Sequence, residues 1–160
     1  MKRNQLGDLT CALAASLAEV GDAWSLLIVK ELMLLNGRFD GIAAQTGISE
    51  SSLAVRLKRL EQLGIICRRV YQARPTRYEY RLTPKGEDLW PTLVTLTRWG
   101  DRWHGRETPP LTFACAGCGA ENARPRLACE PCGEALGPRS VVAVQSEAMQ
   151  ADRAQRAYEK

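Results

Sequence analysis

The chain has 160 residues, 45% hydrophobic and 25% charged, the composition of a folded globular protein with room for one domain and a small stapled module. Apolar runs such as Leu26-Leu27-Ile28-Val29 fall far below the ~18 residues of a membrane span. Charged Glu19, Asp22 and Lys30 interrupt the apolar stretch near the start, so no signal-peptide core is read and a cytoplasmic protein without a membrane partner is expected. The single histidine, His104, leaves no room for His-rich metal sites, and no nucleophile elbow, phosphate loop or carboxylate pair suggests an enzyme.

The net charge of +4 is concentrated in residues 56–81. There Arg56, Lys58, Arg59, Arg68, Arg69, Arg74, Arg77 and Arg81 face only Glu61 and Glu79, eight charges against two, a local excess of +6. Such confinement points to an anionic polymer, with a solvated charged face as the alternative.

In chain order, helical spacing predicts a first helix from Ala12 to Val20, ending at Gly21. Asp22 caps a second, Ala23 to Leu35, apolar on most sides and hence central to a core. A third runs from a cap at Asp40 to Gly47, and Ser49 caps a fourth, Glu50 to Leu63, with Leu53, Leu57 and Leu60 facing inward. The period then changes. Residues 65–71 and 77–82 read as strands joined by Gln72-Ala73-Arg74-Pro75-Thr76, a hairpin with a basic tip. Thr83-Pro84 opens a further helix through Leu93 and Trp99 to about Trp103.

Two helices joined at Thr46-Gly47-Ile48 and followed by a basic hairpin make a winged helix-turn-helix. A helix fits the major groove, so 50–63 is the expected recognition helix and 71–78 the wing on the minor groove. On the helical wheel Ser51, Val55, Lys58 and Gln62 lie opposite the core, with Ser52, Arg56 and Arg59 on one flank. Ser51, Ser52, Val55 and Arg56 are the expected base readers, Lys58 and Arg59 the phosphate contacts, and Arg74 and Arg77 the minor-groove contacts.

From Cys11 to Trp103 the chain resembles the HxlR-type winged-helix transcriptional regulators, relatives of the MarR group. The resemblance rests on Cys11-Ala12-Leu13, Gly21-Asp22-Ala23-Trp24-Ser25-Leu26-Leu27-Ile28, Arg38-Phe39, Gly47-Ile48-Ser49, Leu53 through Gly64, Tyr78-Glu79-Tyr80-Arg81-Leu82-Thr83-Pro84-Lys85-Gly86 and Trp99-Gly100. It implies a homodimer through the first and last helices of the winged domain, set on a double-stranded, pseudo-palindromic operator. The resulting expectation is a dimeric, sequence-specific regulator acting as a repressor. Trp90, Trp99 and Trp103 along the last helix are independent grounds for a partner surface, with packing onto the chain's own core as the alternative. The resemblance also implies oxidant sensing at Cys11, where the family's following proline is Ala12. A helix N-terminus favours the thiolate there, and a buried, inert thiol is the alternative. A small-molecule effector pocket is expected near Trp24 and Trp99.

Glu107-Thr108-Pro109-Pro110 cannot continue a helix and marks an expected boundary. Beyond it, Cys115-Ala116-Gly117-Cys118-Gly119 and Cys129-Glu130-Pro131-Cys132-Gly133 are two C-x-x-C-G segments, ten residues apart. Cys115, Cys118, Cys129 and Cys132 match a tetrahedral four-thiolate site for Zn²⁺, with iron in a rubredoxin-like arrangement second and disulfides disfavoured in a cytoplasmic chain. The expected fold class is therefore mainly α with a small β-hairpin wing, plus a small β-rich zinc-ribbon-like module. Its parts are a winged domain at 1–107, the module at 108–144 with a possible strand at 141–144, and a polar tail at 145–160, either a loose helix or disordered. The rival functions are a four-cysteine metal or redox protein and a protein–protein adaptor.

Overall fold

A computed structural model describes residues 8–104, 108–120 and 126–158. By contacts the chain divides into Met1–Trp90 with Ser146–Lys160 as one unit and Pro91–Gln145 as another. The expected boundary at 107 falls within residues 105–107, which lie outside the described ones.

In the first unit, α1 (Ala12–Val20) and α2 (Ala23–Met33) meet at 79°. Asp22 caps α2 by accepting from the Ser25 N–H, as its sequence position suggests. The helix is the hub, touching α1, α3 (Phe39–Thr46), α4 (Glu50–Gln62) and the wing. Ile28 and Val29 are fully buried, which explains why α2 is apolar nearly all round. The inner stripe of α4, Leu53, Leu57 and Leu60, is also sealed, each side chain contributing about 1.5–3 kcal/mol by burial. Between α3 and α4, Gly47 turns the chain in the left-handed region at φ 70°, where a Cβ would be strained.

The boundaries differ from expectation for local reasons. Helix α2 stops at Met33, not Leu35, because Leu35 is left-handed at φ 61° and the Asn36 N–H returns to the Glu31 carbonyl. Buried Glu31 also accepts from the Asn36 amide at 2.8 Å and pairs with Lys30 at 2.7 Å. Helix α3 is capped by Arg38, not Asp40, since Arg38 is already extended where it bridges Glu79. Helix α4 ends at Gln62, with Leu63 as its cap.

Strands β1 (Ile66–Ala73) and β2 (Thr76–Leu82) pair antiparallel from Ile66↔Leu82 to Ala73↔Thr76, with an irregularity between Val70 and Gln72. The strands run longer than expected, so the tip shrinks to Arg74-Pro75, joined by a cis peptide bond. Ile65 precedes the strand instead of belonging to it; its carbonyl accepts from the Thr83 N–H.

The helix expected from Pro84 to Trp103 is interrupted. A short α5 (Pro84–Glu87) is capped by Thr83, and α6 (Trp90–Trp103) starts anew. Pro91 cannot donate to a preceding carbonyl and restricts Trp90, so a continuous ladder is impossible there. The polar tail is a helix, α7 (Glu147–Tyr158), whose Arg156 reaches the Asp8 carbonyl at 3.2 Å.

The second unit holds most of α6, where Leu93 and Val94 are buried. The module expected to be β-rich contains, among the described residues, only the isolated bridge Ala128↔Ala135, and Val141–Val144 form no strand.

Candidate nucleic-acid interface

Ser49 opens α4, its Oγ accepting from the Ser52 N–H at 3.4 Å. Ser51 is exposed, with its hydroxyl 3.4 Å from that of Ser49, and Ser52 is half-buried. Val55 is 66% exposed, far more than a valine held by its own core, and Lys58 and Gln62 continue the same outward stripe. A methyl-bearing residue, a hydroxyl and an ammonium thus share the exposed face of α4.

The flank is different. Arg56, expected among the base readers, turns its guanidinium inward: Nε donates to Asp22 Oδ1 at 3.0 Å and Nη1 to the Ser52 carbonyl at 3.3 Å. Asp22 simultaneously accepts from Ser25 N at 3.1 Å and Ser25 Oγ at 2.6 Å. Burial opposes ionisation of this carboxyl, but bonds from Ser25 and Arg56 outweigh it and hold the group below its ordinary 3.8. Arg59, expected at phosphates, donates to the Ala18 carbonyl at 2.7 Å, near the C-terminal end of α1 where a cation is favoured.

The wing separates in the same way. Arg68 is bound to Glu61 at 2.8 Å and lies over the Tyr78 ring, fastening the wing to α4, and Arg81 pairs with Glu79 at 2.7 Å. Lys58, Arg69, Arg74 and Arg77 are exposed and have no ion pair or side-chain hydrogen bond among the described residues. The +6 segment is therefore half brace and half available charge. Arg69 joins the available charge, set apart from Arg68 by the strand alternation.

The root of the wing is held by the loop before α3. The Tyr80 N–H donates to the Gly37 carbonyl at 2.7 Å, and Arg38 stacks its guanidinium 4.8 Å from the centre of the Tyr71 ring. Beneath lies an open cleft of about 700 Å³, lined by Leu32, Met33, Leu35, Tyr80, Leu82 and Trp90 among others. It differs from the expected effector site, since neither Trp24 nor Trp99 borders it.

Cys11 is the half-buried N-cap of α1, and its side chain makes no capping bond. Cys115, Cys118, Cys129 and Cys132 occur as two close pairs, but among the described residues no three metal-ligating side chains converge. The Cys118 backbone N–H, the Cys118 thiol and the Gly117 N–H bond to Cys115 and hold its thiol below the ordinary 9.0.

A helix-turn-helix backed by a basic two-stranded wing defines a winged-helix DNA-binding protein, the architecture of transcriptional regulators. Residues 19–108 match the HxlR-like helix-turn-helix family, and the chain belongs to it. Over 123 residues it is 42% identical to the HTH-type transcriptional regulator MT3179 of Mycobacterium tuberculosis, spanning 76% of this chain and 77% of that one. Its structure is similar to that of PA1607, a candidate transcription factor, with a TM-score of 0.76 and 26% identity over 88% of this chain and 98% of the other. It is also similar to the redox regulator HypR in its oxidized form, with a TM-score of 0.53 and 28% identity over 61% of this chain and all of HypR. The family consists of transcriptional regulators, not enzymes. No single helix among the described residues is long and apolar enough to cross a membrane.

Proposed function

We propose that the protein is a homodimeric repressor that sets α4 of each protomer into the major groove of a pseudo-palindromic operator and its wing tip along the neighbouring minor groove. The observation that carries this reading is the division of charge: Ser51, Val55 and Lys58 stand on one outward face, and Arg74 and Arg77 at the tip have no ion pair among the described residues. In this reading Ser51, Ser52 and Val55 meet base edges, and Lys58 holds phosphate together with Arg69 near the wing. Arg74 and Arg77 enter the narrow groove. Arg56 and Arg59 fix the angle of α4 through their bonds to Asp22 and to the Ala18 carbonyl and leave base reading to the outward face.

Dimerisation is supported by apolar surface left exposed among the described residues. Leu13 and Leu17 are 67% and 43% exposed on α1, and Leu96, Trp99 and Trp103 form an exposed stripe on α6. Two-fold pairing of these helices with those of a partner covers both surfaces and sets half-sites about one helical turn apart. A dimer seated on an operator represses by occupying DNA that the transcription machinery needs. The cleft under Tyr80 is the place proposed for a small effector.

Selection of bound fragments from random or genomic DNA by the purified protein tests the whole proposal. The expected result is a palindromic consensus bound with a steep salt dependence. Retention of DNA without any shared sequence overturns specific recognition.

A further inference from the structure

The two C-x-x-C-G segments share only their cysteines and the trailing glycine, yet the backbone is built the same way twice. In the first, the Cys115 carbonyl accepts from the Gly119 N–H at 2.7 Å, and the Cys115 N–H donates to the Ala120 carbonyl at 2.9 Å. In the second, the Cys129 carbonyl accepts from the Gly133 N–H at 2.7 Å, and the Cys129 N–H donates to the Glu134 carbonyl at 2.8 Å. Gly119 and Gly133 sit at φ 70° and 72°, where a Cβ would be strained. Within each loop the two cysteines bond to one another, Cys118 with Cys115 and Cys129 with Cys132, and all four are thiols.

A second observation is energetic. Among the described residues of 108–145 none is buried, so no apolar core holds this stretch, although it contains two matched loops. Segments with so little to bury depend on a cross-link or a metal for their folding energy.

We propose that the two loops are the halves of one structural Zn²⁺ site, to which Cys115, Cys118, Cys129 and Cys132 each supply a thiolate. Each loop offers its sulfur pair as one edge of a tetrahedron, and the ion draws the two edges together. The four thiols give up their protons to solvent as the four Zn–S bonds form, and nothing is oxidised or reduced. Four thiolates leave no open position on the metal, so the site holds structure and does no chemistry. His104 is not required: its ring stands edge-to-face against Trp99, 5.7 Å between centres.

The test uses the full chain purified under reducing conditions without chelator. The expected results are one zinc per chain and, on exchange for Co²⁺, the intense visible bands of a tetrahedral thiolate complex. In the zinc form Cys115, Cys118, Cys129 and Cys132 resist alkylation, and chelator exposes all four together. Cys115→Ser and Cys129→Ser each lose the ion, while Cys11→Ser keeps it. Because the alkylation readout uses the unaltered chain, the proposal stands or falls even where a variant misfolds. Four thiols that alkylate equally with and without chelator overturn it. So does a protein coloured as isolated, which means iron, or one lighter by the hydrogens of two disulfides. One zinc per two chains overturns the intrachain site in favour of a shared one.

Discussion

Arg56 of α4 places its Nε 3.0 Å from Oδ1 of Asp22, the residue that caps α2. One carboxylate therefore ends the central helix and braces the DNA-facing one. Both side chains are mostly covered, 27% and 17% exposed, so solvent screens the pair less than a surface bridge. Asp22→Asn keeps a good cap but loses the charge, and Arg56→Ala removes the other partner. Each is expected to cost about 1–2 kcal/mol in denaturant unfolding, and the double variant less than the sum. Strict additivity would show that the bond does nothing for the fold.

The same carboxyl sets a pH dependence. Its folded value lies below the unfolded 3.8, so its stabilisation is complete above 3.8 and is lost as pH falls through the folded value. Unfolding midpoints measured from neutral pH downward should show the native chain losing its margin over Asp22→Asn below that point. A margin that grows with acidity contradicts the assignment.

Lys58, Arg74 and Arg77 should behave as phosphate and groove contacts. Alanine at Lys58 is expected to weaken binding to all sequences alike and to reduce the salt slope by about one, measured by fluorescence anisotropy across a salt series. Ser51→Ala and Val55→Ala should instead alter preference among operators at an unchanged slope. Arg56→Lys should leave base preference unchanged, since its head faces Asp22.

The apolar stripes give a different readout. Leu17→Glu on α1 or Trp99→Glu on α6 should yield monomers in sedimentation with unaltered helical content, and operator affinity should fall by at least tenfold, about 1.4 kcal/mol. Dimers that survive both substitutions would locate the two-fold contact elsewhere.

Much of this was legible from residue order. Asp22 and Ser49 announce helix starts and Gly47 a turn; the Leu53-Leu57-Leu60 spacing fixes which side of α4 is buried, and hence which side is free. What was not legible lies at long range. Arg56 and Arg59 look like their neighbours in sequence, but their acceptors are 34 and 41 residues away, on elements that only packing brings near. The cap at Arg38 has the same long-range origin, because strand β2 dictates its backbone. The break between α5 and α6, just ahead of Pro91, is the opposite case: its cause is local, and the apolar spacing across it masks it.

Gly37 packs its α-carbon directly against the Tyr80 carbonyl, where a Cβ would collide. The finger of β1 and β2 is thus pivoted on a fulcrum with no slack. A single methyl at 37 would pry the root of the sheet outward, and leverage along the strands would magnify the displacement at Arg74. The tilt of the fingertip is in effect machined at its base, by the smallest side chain available.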